Sequence, residues 1–215
     1  MAVTTALGLN TGFLAMGSDG MSQEQDKRVE RSRRLLMESL LALMAEKPYA
    51  RISVANICQH SGVARPTFYL HFGSKDDLLR GYIGQMFMAF YQQIDPYLTR
   101  SLDADPMIAT LMFRQWSDNA EFARLLVQAD VEALMLSEFK RYVRRVIERF
   151  ADAHQLAVAD SGRLDYVIDF LTGASFMVIV RWIREDFPIT AEEMGALYAD
   201  LVRPGLLQVL LAGRL

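Results

Sequence analysis

Residues 54–79 read VANICQHSGVARPTFYLHFGSKDDLL and contain the pattern of two short helices joined by a tight turn. The first helix places small or apolar side chains, Ile57 among them, on one face. Gly62 follows, and glycine adopts left-handed turn conformations without steric cost. The second helix is predicted at about residues 65–71, with Phe68 on its buried side. Two short helices around a glycine turn predict a helix-turn-helix.

The second helix has an outward face that suits DNA. Its outward side chains are able to reach phosphates or base edges: Arg65, Thr67, Tyr69 and His71. We predict that Arg65 and Thr67 contact base edges and that Tyr69 and His71 contact phosphates. The alternative is that Tyr69 and His71 only pack the small domain.

A longer series of residues extends this pattern: Gly62-Val63, Pro66-Thr67-Phe68-Tyr69, His71-Phe72, Ser74-Lys75 and Leu78-Leu79. In this order they resemble the DNA-binding domain of the TetR family of bacterial transcriptional regulators. The resemblance covers residues 28–82, and the rest of the chain matches the family in its helix pattern only. Ala64 departs from the family, which usually has Ser or Thr at this helix cap, a loss of about 1 kcal/mol. The resemblance implies DNA contacts from Thr67, Tyr69 and Lys75.

Two further groups are predicted to contact phosphates. Lys75 lies at a helix start, where free backbone N–H groups favour an anion. Arg28, with Arg31 and Arg34, is predicted to reach phosphates from the first helix. The alternative for both groups is a solvated charged surface.

The excess of positive charge lies in the part of the chain that contains the helix-turn-helix. With 215 residues, of which 52% are hydrophobic, the chain has ample apolar side chains for a packed core. The net charge of -3 argues against a protein that coats nucleic acid generally. Residues 21–80 contain ten Lys or Arg against seven Asp or Glu, whereas residues 81–215 contain thirteen against eighteen.

Few residues suggest covalent or metal chemistry. Cys58 is the single cysteine, which excludes an intramolecular disulfide, so we expect a cytoplasmic protein with this thiol in its core. The histidines, His60, His71 and His154, have no ligand-like spacing, so neither a metal site nor a cofactor is predicted. The sequence contains no glycine-rich phosphate loop and no nucleophile elbow, which argues against an enzyme.

Helical periodicity dominates, and no stretch alternates with period two, so we predict an all-α fold of about nine helices. Residues 1–24 are predicted to be a flexible N-terminal tail rather than a signal peptide, because they lack a basic start. Residues 25–73 would form a three-helix DNA-binding domain, and residues 74–215 a larger helical domain for ligand binding and dimerisation. The apolar run over residues 166–183 contains polar residues and is predicted to be a buried helix rather than a membrane span.

The larger domain is rich in aromatic and methionine side chains at helical spacing. By resemblance, this domain binds a small-molecule effector, and we predict a mostly apolar one because few charged groups fall on the inward faces. The predicted pocket residues are Phe90, Tyr91, Phe113, Trp116, Phe139, Tyr142, Phe170 and Met177. Each of them is alternatively a core side chain.

One helix-turn-helix makes too few base contacts for tight specific binding, so we expect a homodimer on a pseudo-palindromic operator in double-stranded DNA. The predicted interface lies on the last two helices and comprises Phe170, Val178, Trp182, Leu197, Leu201 and Leu206. Two copies would form a four-helix bundle, as the resemblance also implies. The alternative is that these faces are buried within one subunit. The function predicted is a repressor released by its effector. The alternatives are an activator, and a DNA-binding structural or interaction protein of the same fold without an effector.

Overall fold

The chain is helical throughout the part that the structure describes. The computed structural model describes residues 20–100, 106–156 and 162–211, and the side chains of 26–100, 106–156 and 162–209. Within these ranges there are nine α-helices, one short 3-10 helix and no strand, which confirms the predicted all-α fold. The α-helices are α1 (Gly20–Glu46), α2 (Val54–Ser61), α3 (Arg65–His71), α4 (Lys75–Leu98), α5 (Pro106–Asp118), α6 (Ala120–Gln128), α7 (Glu132–Ala153), α8 (Leu164–Arg184) and α9 (Ala191–Leu211). The 3-10 helix, Tyr49–Arg51, lies between α1 and α2.

The first compact unit comprises the described residues up to Ile83, together with Gln128–Val131. Helix α1 packs against α2 and α3, and α2 packs against α3. The core consists of fully buried apolar side chains from four helices: Leu36, Leu40, Ile57, Phe68, Leu78 and Leu79. Burying each such side chain contributes roughly 1.5–3 kcal/mol, so a few residues from each short helix suffice to hold the unit together.

Local chemistry fixes the ends of α2 and α3. The Ser53 hydroxyl accepts from the Asn56 backbone N–H at 3.2 Å, and the Asn56 side chain accepts from the Ser53 N–H at 3.1 Å, so α2 begins with a capping box. Gly62 ends α2 with φ of 69°, the left-handed conformation that favours glycine. Ala64 provides no side-chain cap for α3, whose first turn instead contains Pro66.

The second compact unit comprises Gly84–Val127 and the chain from Glu132 onward. Helix α5 packs along α9, and α7 packs on α8. At Gly195 the two helices α5 and α9 approach closely, because a Cβ added there would lie 2.6 Å from the Thr110 Cα. Thr190 caps α9, accepting from the Glu193 N–H at 3.2 Å while the Glu193 carboxylate accepts from the Thr190 N–H at 2.8 Å.

Two boundaries differ from the sequence prediction. Helix α1 begins at Gly20, so residues 20–24 are helical rather than tail, and residues 1–19 lie outside the described range. No glycine or proline interrupts residues 21–46, so the helix continues towards the N-terminus. The units divide between Ile83 and Gly84 rather than at 73/74. The reason is that the first turns of α4 bury their leucines in the first unit.

Helix α8 is the one described helix long and apolar enough to cross a membrane by length and composition alone. Half of that stretch, 50%, is buried inside the protomer. It therefore packs as a core helix with one outer face, in agreement with the predicted buried helix.

Candidate nucleic-acid interface and effector cavity

Helix α3 is anchored by one side chain and presents several others to solvent. Phe68 is fully buried and packs edge-on against the Tyr69 ring and at a tilt against Phe72. Arg65 and Tyr69 are exposed, whereas Thr67 is half-buried. The structure therefore brings Arg65 and Tyr69, and part of Thr67, onto an accessible surface, with Phe68 holding the helix in place.

Arg65 and Tyr69 form a pair on this surface. The guanidinium carbon lies 5.7 Å from the centre of the Tyr69 ring, and Nη2 donates to the Tyr69 hydroxyl over 3.4 Å. A cation over an aromatic face is worth about 0.5–1 kcal/mol at an exposed site. The pair restricts the Arg65 rotamers and leaves most of its N–H donors facing solvent, as base or phosphate recognition requires.

Leu70 is an exposed side chain of α3 that the sequence analysis missed. It is 81% exposed, the highest value among the large hydrophobic side chains that the structure describes. An apolar side chain on the outer face of a short basic helix is the type that contacts a thymine methyl group. The signal in the sequence was its position one residue after Tyr69, on the face opposite to the buried Phe68.

His71 lies between α3 and α1 rather than on the outer surface. Its Nε2 is 2.8 Å from the Ser32 Oγ of α1, and its ring meets Phe72 edge-on. Burial, with a smaller contribution from the Arg33 charge, lowers the pKa of His71, so the ring is neutral at neutral pH. A half-buried neutral imidazole with a protein partner fits the packing alternative and not the predicted phosphate contact.

Lys75 is also engaged within the unit. Its ammonium donates to the backbone carbonyls of Tyr49, at 2.7 Å, and of Ile52, at 2.9 Å, and lies 4.2 Å from the centre of the Tyr49 ring. The Tyr49 hydroxyl in turn donates to Asp76 at 2.5 Å. Two of its three N–H groups therefore hold the 3-10 helix against α4, which leaves only the third for the predicted phosphate contact.

Helix α1 presents an exposed basic face. Its exposed cationic side chains are Lys27, Arg28, Arg31, Arg33 and Arg34. Arg34 pairs with Glu38 at 3.7 Å, and Arg33 lies 5.2 Å from the centre of the Phe72 ring. Ion pairs this exposed contribute little stability, so the face remains available to an anionic partner.

Most of the predicted pocket aromatics form a solid core in the second unit. Phe90, Phe113, Trp116 and Phe139 are all at most 4% exposed. The Phe87 ring joins them, with ring centres 5.8 Å from Phe90, 5.9 Å from Trp116 and 5.5 Å from Phe139. The rings of Phe90, Trp116 and Phe139 pack around Phe87, whereas Phe113 contacts Trp182 and Tyr198. None of the four predicted residues lines the cavity of this unit, so the structure places them in the core.

Three other predicted pocket residues lie elsewhere. Phe170 and Met177 are 65% and 67% exposed on the outer face of α8. Tyr91 is half-buried and donates its hydroxyl to Asp95 at 3.0 Å, which Arg149 also contacts at 2.9 Å. Helical spacing could not tell the inner face of α8 from its outer face, because both carry apolar residues.

The cavity of the second unit lies between α5, α7, α8 and α9, and the end of α4 reaches it. Its volume is about 130 Å³, and of the predicted pocket residues only Tyr142 lines it. The remaining walls are mainly aliphatic, with Leu98, Met112, Val146, Ile147, Leu171 and Val202 prominent. Its polar side chains are few: Tyr142, Ser175, Tyr198 and Arg203.

A second set of apolar side chains forms an outer patch on α8 and α9, which we call the α8/α9 patch. Its members are each at least half exposed: Tyr166, Phe170, Met177, Leu197 and Leu201. Of the predicted interface, Phe170, Leu197 and Leu201 belong to this patch. Val178 is half-buried, and Leu206 is half-buried and lines the cavity.

Trp182 is excluded from any intersubunit surface by its position. It is 1% exposed, its indole N–H donates to the Ile189 carbonyl at 3.0 Å, and its ring meets Phe113 and Phe187 edge-on. Its assignment to the dimer interface is therefore wrong. A large aromatic with one polar atom fits a core position wherever that atom finds a partner inside the chain.

Comparison with known proteins identifies the chain's family. The profile of "Bacterial regulatory proteins, tetR family" matches residues 36–82, which contain the helix-turn-helix. A second profile, "Transcriptional regulator C-terminal region", matches residues 106–203. The first match lies in the first compact unit, and the second covers most of the second unit. The chain is a TetR-family transcriptional regulator.

Individual relatives of this TetR-family regulator agree with the assignment. The HTH-type transcriptional repressor KstR2 of Mycolicibacterium smegmatis is 24% identical over 90% of this chain and 97% of its own length. The HTH-type transcriptional regulator EthR of the same organism is 30% identical over 52% of each chain. The structure of a TetR transcriptional regulator from Streptococcus agalactiae 2603V superposes with a TM-score of 0.61 over 85% of this chain and 99% of that one, at 18% identity, and so shares its fold.

The TetR-family assignment settles the class of molecule. The chain is a DNA-binding transcriptional regulator and not an enzyme. Within the described ranges, no three His, Cys, Asp or Glu side chains are grouped so that they could hold a metal ion. Cys58 is half-buried, and burial raises the pKa of its thiol, which disfavours the reactive thiolate.

Proposed function

We propose that this regulator is a cytoplasmic homodimeric repressor that binds a pseudo-palindromic operator and is released by a mostly apolar small-molecule effector. The observation that carries the DNA-binding part is the joint exposure of Arg65, Tyr69 and Leu70 on α3, above the buried Phe68. Each of these three side chains has a chemistry that suits the major groove.

We assign base recognition to Arg65 and Leu70. A guanidinium donates two hydrogen bonds to O6 and N7 of guanine, and an apolar side chain contacts the thymine methyl. Thr67 and Tyr69 flank them and are assigned to the backbone or to neighbouring base edges. Arg28, on the exposed basic face of α1, is assigned to phosphates, where a guanidinium contributes affinity without selecting a sequence.

Dimerisation is assigned to the α8/α9 patch. Five large apolar side chains exposed on two neighbouring helices exceed the isolated apolar residues normal for a monomer surface. Two copies related by a two-fold axis would pair the patches as a four-helix bundle. The dimer would also provide the two recognition helices that a pseudo-palindromic operator requires.

Effector release is assigned to the cavity of the second unit. Leu98, at the end of α4, lines this cavity, and α4 begins in the first unit at Lys75. A ligand that prefers the form unable to bind the operator would shift the population through this continuous helix. Moving the ratio from 1:99 to 99:1 takes about 5.5 kcal/mol of differential affinity. The cavity favours this function over a DNA-binding structural protein without an effector.

A gel-shift assay with the DNA flanking this chain's own gene, at a stated salt concentration, tests the proposed DNA contacts. We expect sequence-specific binding by the wild type, and a loss of about 1–3 kcal/mol with relaxed base preference for Arg65→Ala. Arg28→Ala should weaken binding to all sequences equally and lower the salt slope by about one. Arg114→Ala, in the second unit, is the control. Unchanged binding by Arg65→Ala would contradict the assignment of α3 as the base-reading helix.

A further inference from the structure

We infer that the cavity of the second unit binds a small amphiphilic carboxylate, with an apolar body inside the cavity and its anionic head on Arg203. This inference rests on the proposed function in taking the cavity as the effector site. It goes further in naming the chemical class of the ligand and the side chain that selects it.

The walls and size of the cavity define the body of the ligand. Aliphatic and aromatic side chains from four helices line it, among them Met112, Val143, Ile147 and Phe150. Its volume of about 130 Å³ is close to that of engineered apolar cavities of about 150 Å³ that bind benzene. The apolar body is therefore of roughly six to eight carbon atoms.

Arg203 provides the positive charge. It lies on α9, is half-buried and lines the cavity. Other arginines of this unit have carboxylate partners: Arg124 with Asp186 at 2.6 Å, and Arg149 with Asp95 at 2.9 Å. Among the described residues, no carboxylate pairs with Arg203. A guanidinium binds a carboxylate through two parallel N–H donors, which matches an anionic head better than a hydroxyl.

The other polar groups that line the cavity are neutral. The Tyr198 hydroxyl is hydrogen-bonded to the Ser175 hydroxyl, which donates to the Leu171 carbonyl at 2.6 Å. Burial raises the pKa of the Tyr198 phenol. Burial also raises the pKa of the Tyr142 phenol, with a smaller electrostatic contribution from Tyr198, so both phenols stay protonated. A second charge has no partner there, and the ligand is a monoanion.

Calorimetric titration of the full chain with three probes of equal chain length tests this inference. The probes are octanoate, octan-1-ol and octylammonium at neutral pH, which share an eight-carbon chain and carry an anionic, a neutral and a cationic head group. We expect octanoate to bind about tenfold more tightly than octan-1-ol, because a charge-assisted hydrogen bond is stronger than a neutral one. Octylammonium should bind more weakly than either.

Three variants locate the binding. Arg203→Gln should lower the octanoate affinity about tenfold and leave octan-1-ol unchanged, while Arg203→Lys should keep most of the preference for the anion. Arg114→Gln, which removes an exposed arginine outside the cavity, is the matched control. Ala199→Leu fills the cavity and should weaken all probes together. Thermal unfolding of each variant verifies that it folds.

The inference is overturned if octan-1-ol binds as tightly as octanoate, if Arg203→Gln keeps the octanoate affinity, or if octanoate does not bind at millimolar concentration. Release of DNA in the gel-shift assay is measured separately. Octanoate binding without DNA release would support the ligand class and contradict the proposed effector mechanism. DNA release by an uncharged apolar compound, with no octanoate binding, would support the proposed effector mechanism and contradict the ligand class.

Discussion

Ser32 on α1 and His71 at the end of α3 are joined by a hydrogen bond, with 2.8 Å between Oγ and Nε2. This contact links the recognition helix to the first helix across 39 residues of sequence. It also explains why α3, only seven residues long and without a side-chain cap, keeps a defined orientation. Ser32→Ala should therefore lower the free energy of unfolding by about 0.5–1.5 kcal/mol, the usual net value of one hydrogen bond.

The burial of His71, with a smaller contribution from the Arg33 charge, predicts a pH dependence of stability. The pKa of His71 is lowered in the folded protein, so the unfolded chain takes up a proton at higher pH than the folded chain does. The contribution of neutral His71 to the free energy of unfolding is complete above the pKa of the unfolded chain, about 6.5. It is lost as the pH falls through the lower pKa of the folded protein. We expect the free energy of unfolding, measured in urea, to fall on acidification from neutral pH. His71→Gln should reduce this fall, and the exposed His60→Gln should not. An identical pH profile for His71→Gln would contradict the packing role.

Lys75 offers a second test, which distinguishes a stabilising role of its ammonium group from a contact with DNA phosphate. Lys75→Met keeps the aliphatic stem over the Tyr49 ring but leaves the carbonyls of Tyr49 and Ile52 without their donor. We expect a loss of about 1–3 kcal/mol in the free energy of unfolding. Lys27→Met, at an exposed lysine of α1, is the control and should change stability by less than about 0.5 kcal/mol. Full stability of Lys75→Met, with a salt slope lower by about one, would instead support the predicted phosphate contact.

The helix-turn-helix could be predicted from sequence because its determinants are local. The glycine turn at Gly62, the buried Phe68 and the limits of α3 all follow from residues within a few positions of one another. The partners of Lys75 and His71 could not be found in this way. They depend on the 3-10 helix at Tyr49–Arg51 and on α1, which tertiary packing brings together.

The effector cavity shows the limit of helical periodicity more clearly. The pattern correctly indicated that Phe113 and Phe139 face inward, but a ring that fills the core and a ring that borders a void have the same spacing. The cavity instead lies among aliphatic residues such as Val146 and Val202. Volume is a property of how helices pack, and no single helix determines it.

Leu70 provides a test of base recognition in which neither the change in the DNA nor the protein variant is expected to disturb the fold. Replacing thymine by uracil at single operator positions removes one methyl group. A lost methyl contact costs about 0.8 kcal/mol, or roughly fourfold in affinity. We expect one such position to weaken binding of the wild type but not of Leu70→Ala, which should be as stable as the wild type because the side chain is exposed. Equal sensitivity of both proteins at every position would contradict a Leu70 contact.

Gly195 tests the close packing of α5 on α9. An added Cβ would lie 2.6 Å from the Thr110 Cα and 2.8 Å from its backbone nitrogen, and backbone atoms cannot move aside at low cost. Gly195→Ala should destabilise the protein by about 1–3 kcal/mol, the usual range for overpacking. Gly81→Ala is the matched control, because its nearest neighbour lies at 3.9 Å, an ordinary contact. A neutral Gly195→Ala in thermal unfolding would show that the helices separate easily.

Leu201 tests the proposed dimer, because it is 72% exposed in the protomer and contributes little to the protomer's own core. A carboxylate in the α8/α9 patch would be buried without a partner in the proposed dimer, at a cost of several kcal/mol counted on both copies. Leu201→Glu should therefore be a folded monomer in sedimentation equilibrium at micromolar concentration, whereas the wild type should be a dimer. Leu136→Glu, on α7 and 39% exposed, should remain a dimer.

Since specific binding requires two recognition helices, Leu201→Glu should also lose operator affinity while keeping non-specific DNA binding. A monomeric wild type would contradict the proposed dimer, and a dimeric Leu201→Glu would place the interface elsewhere on the molecule.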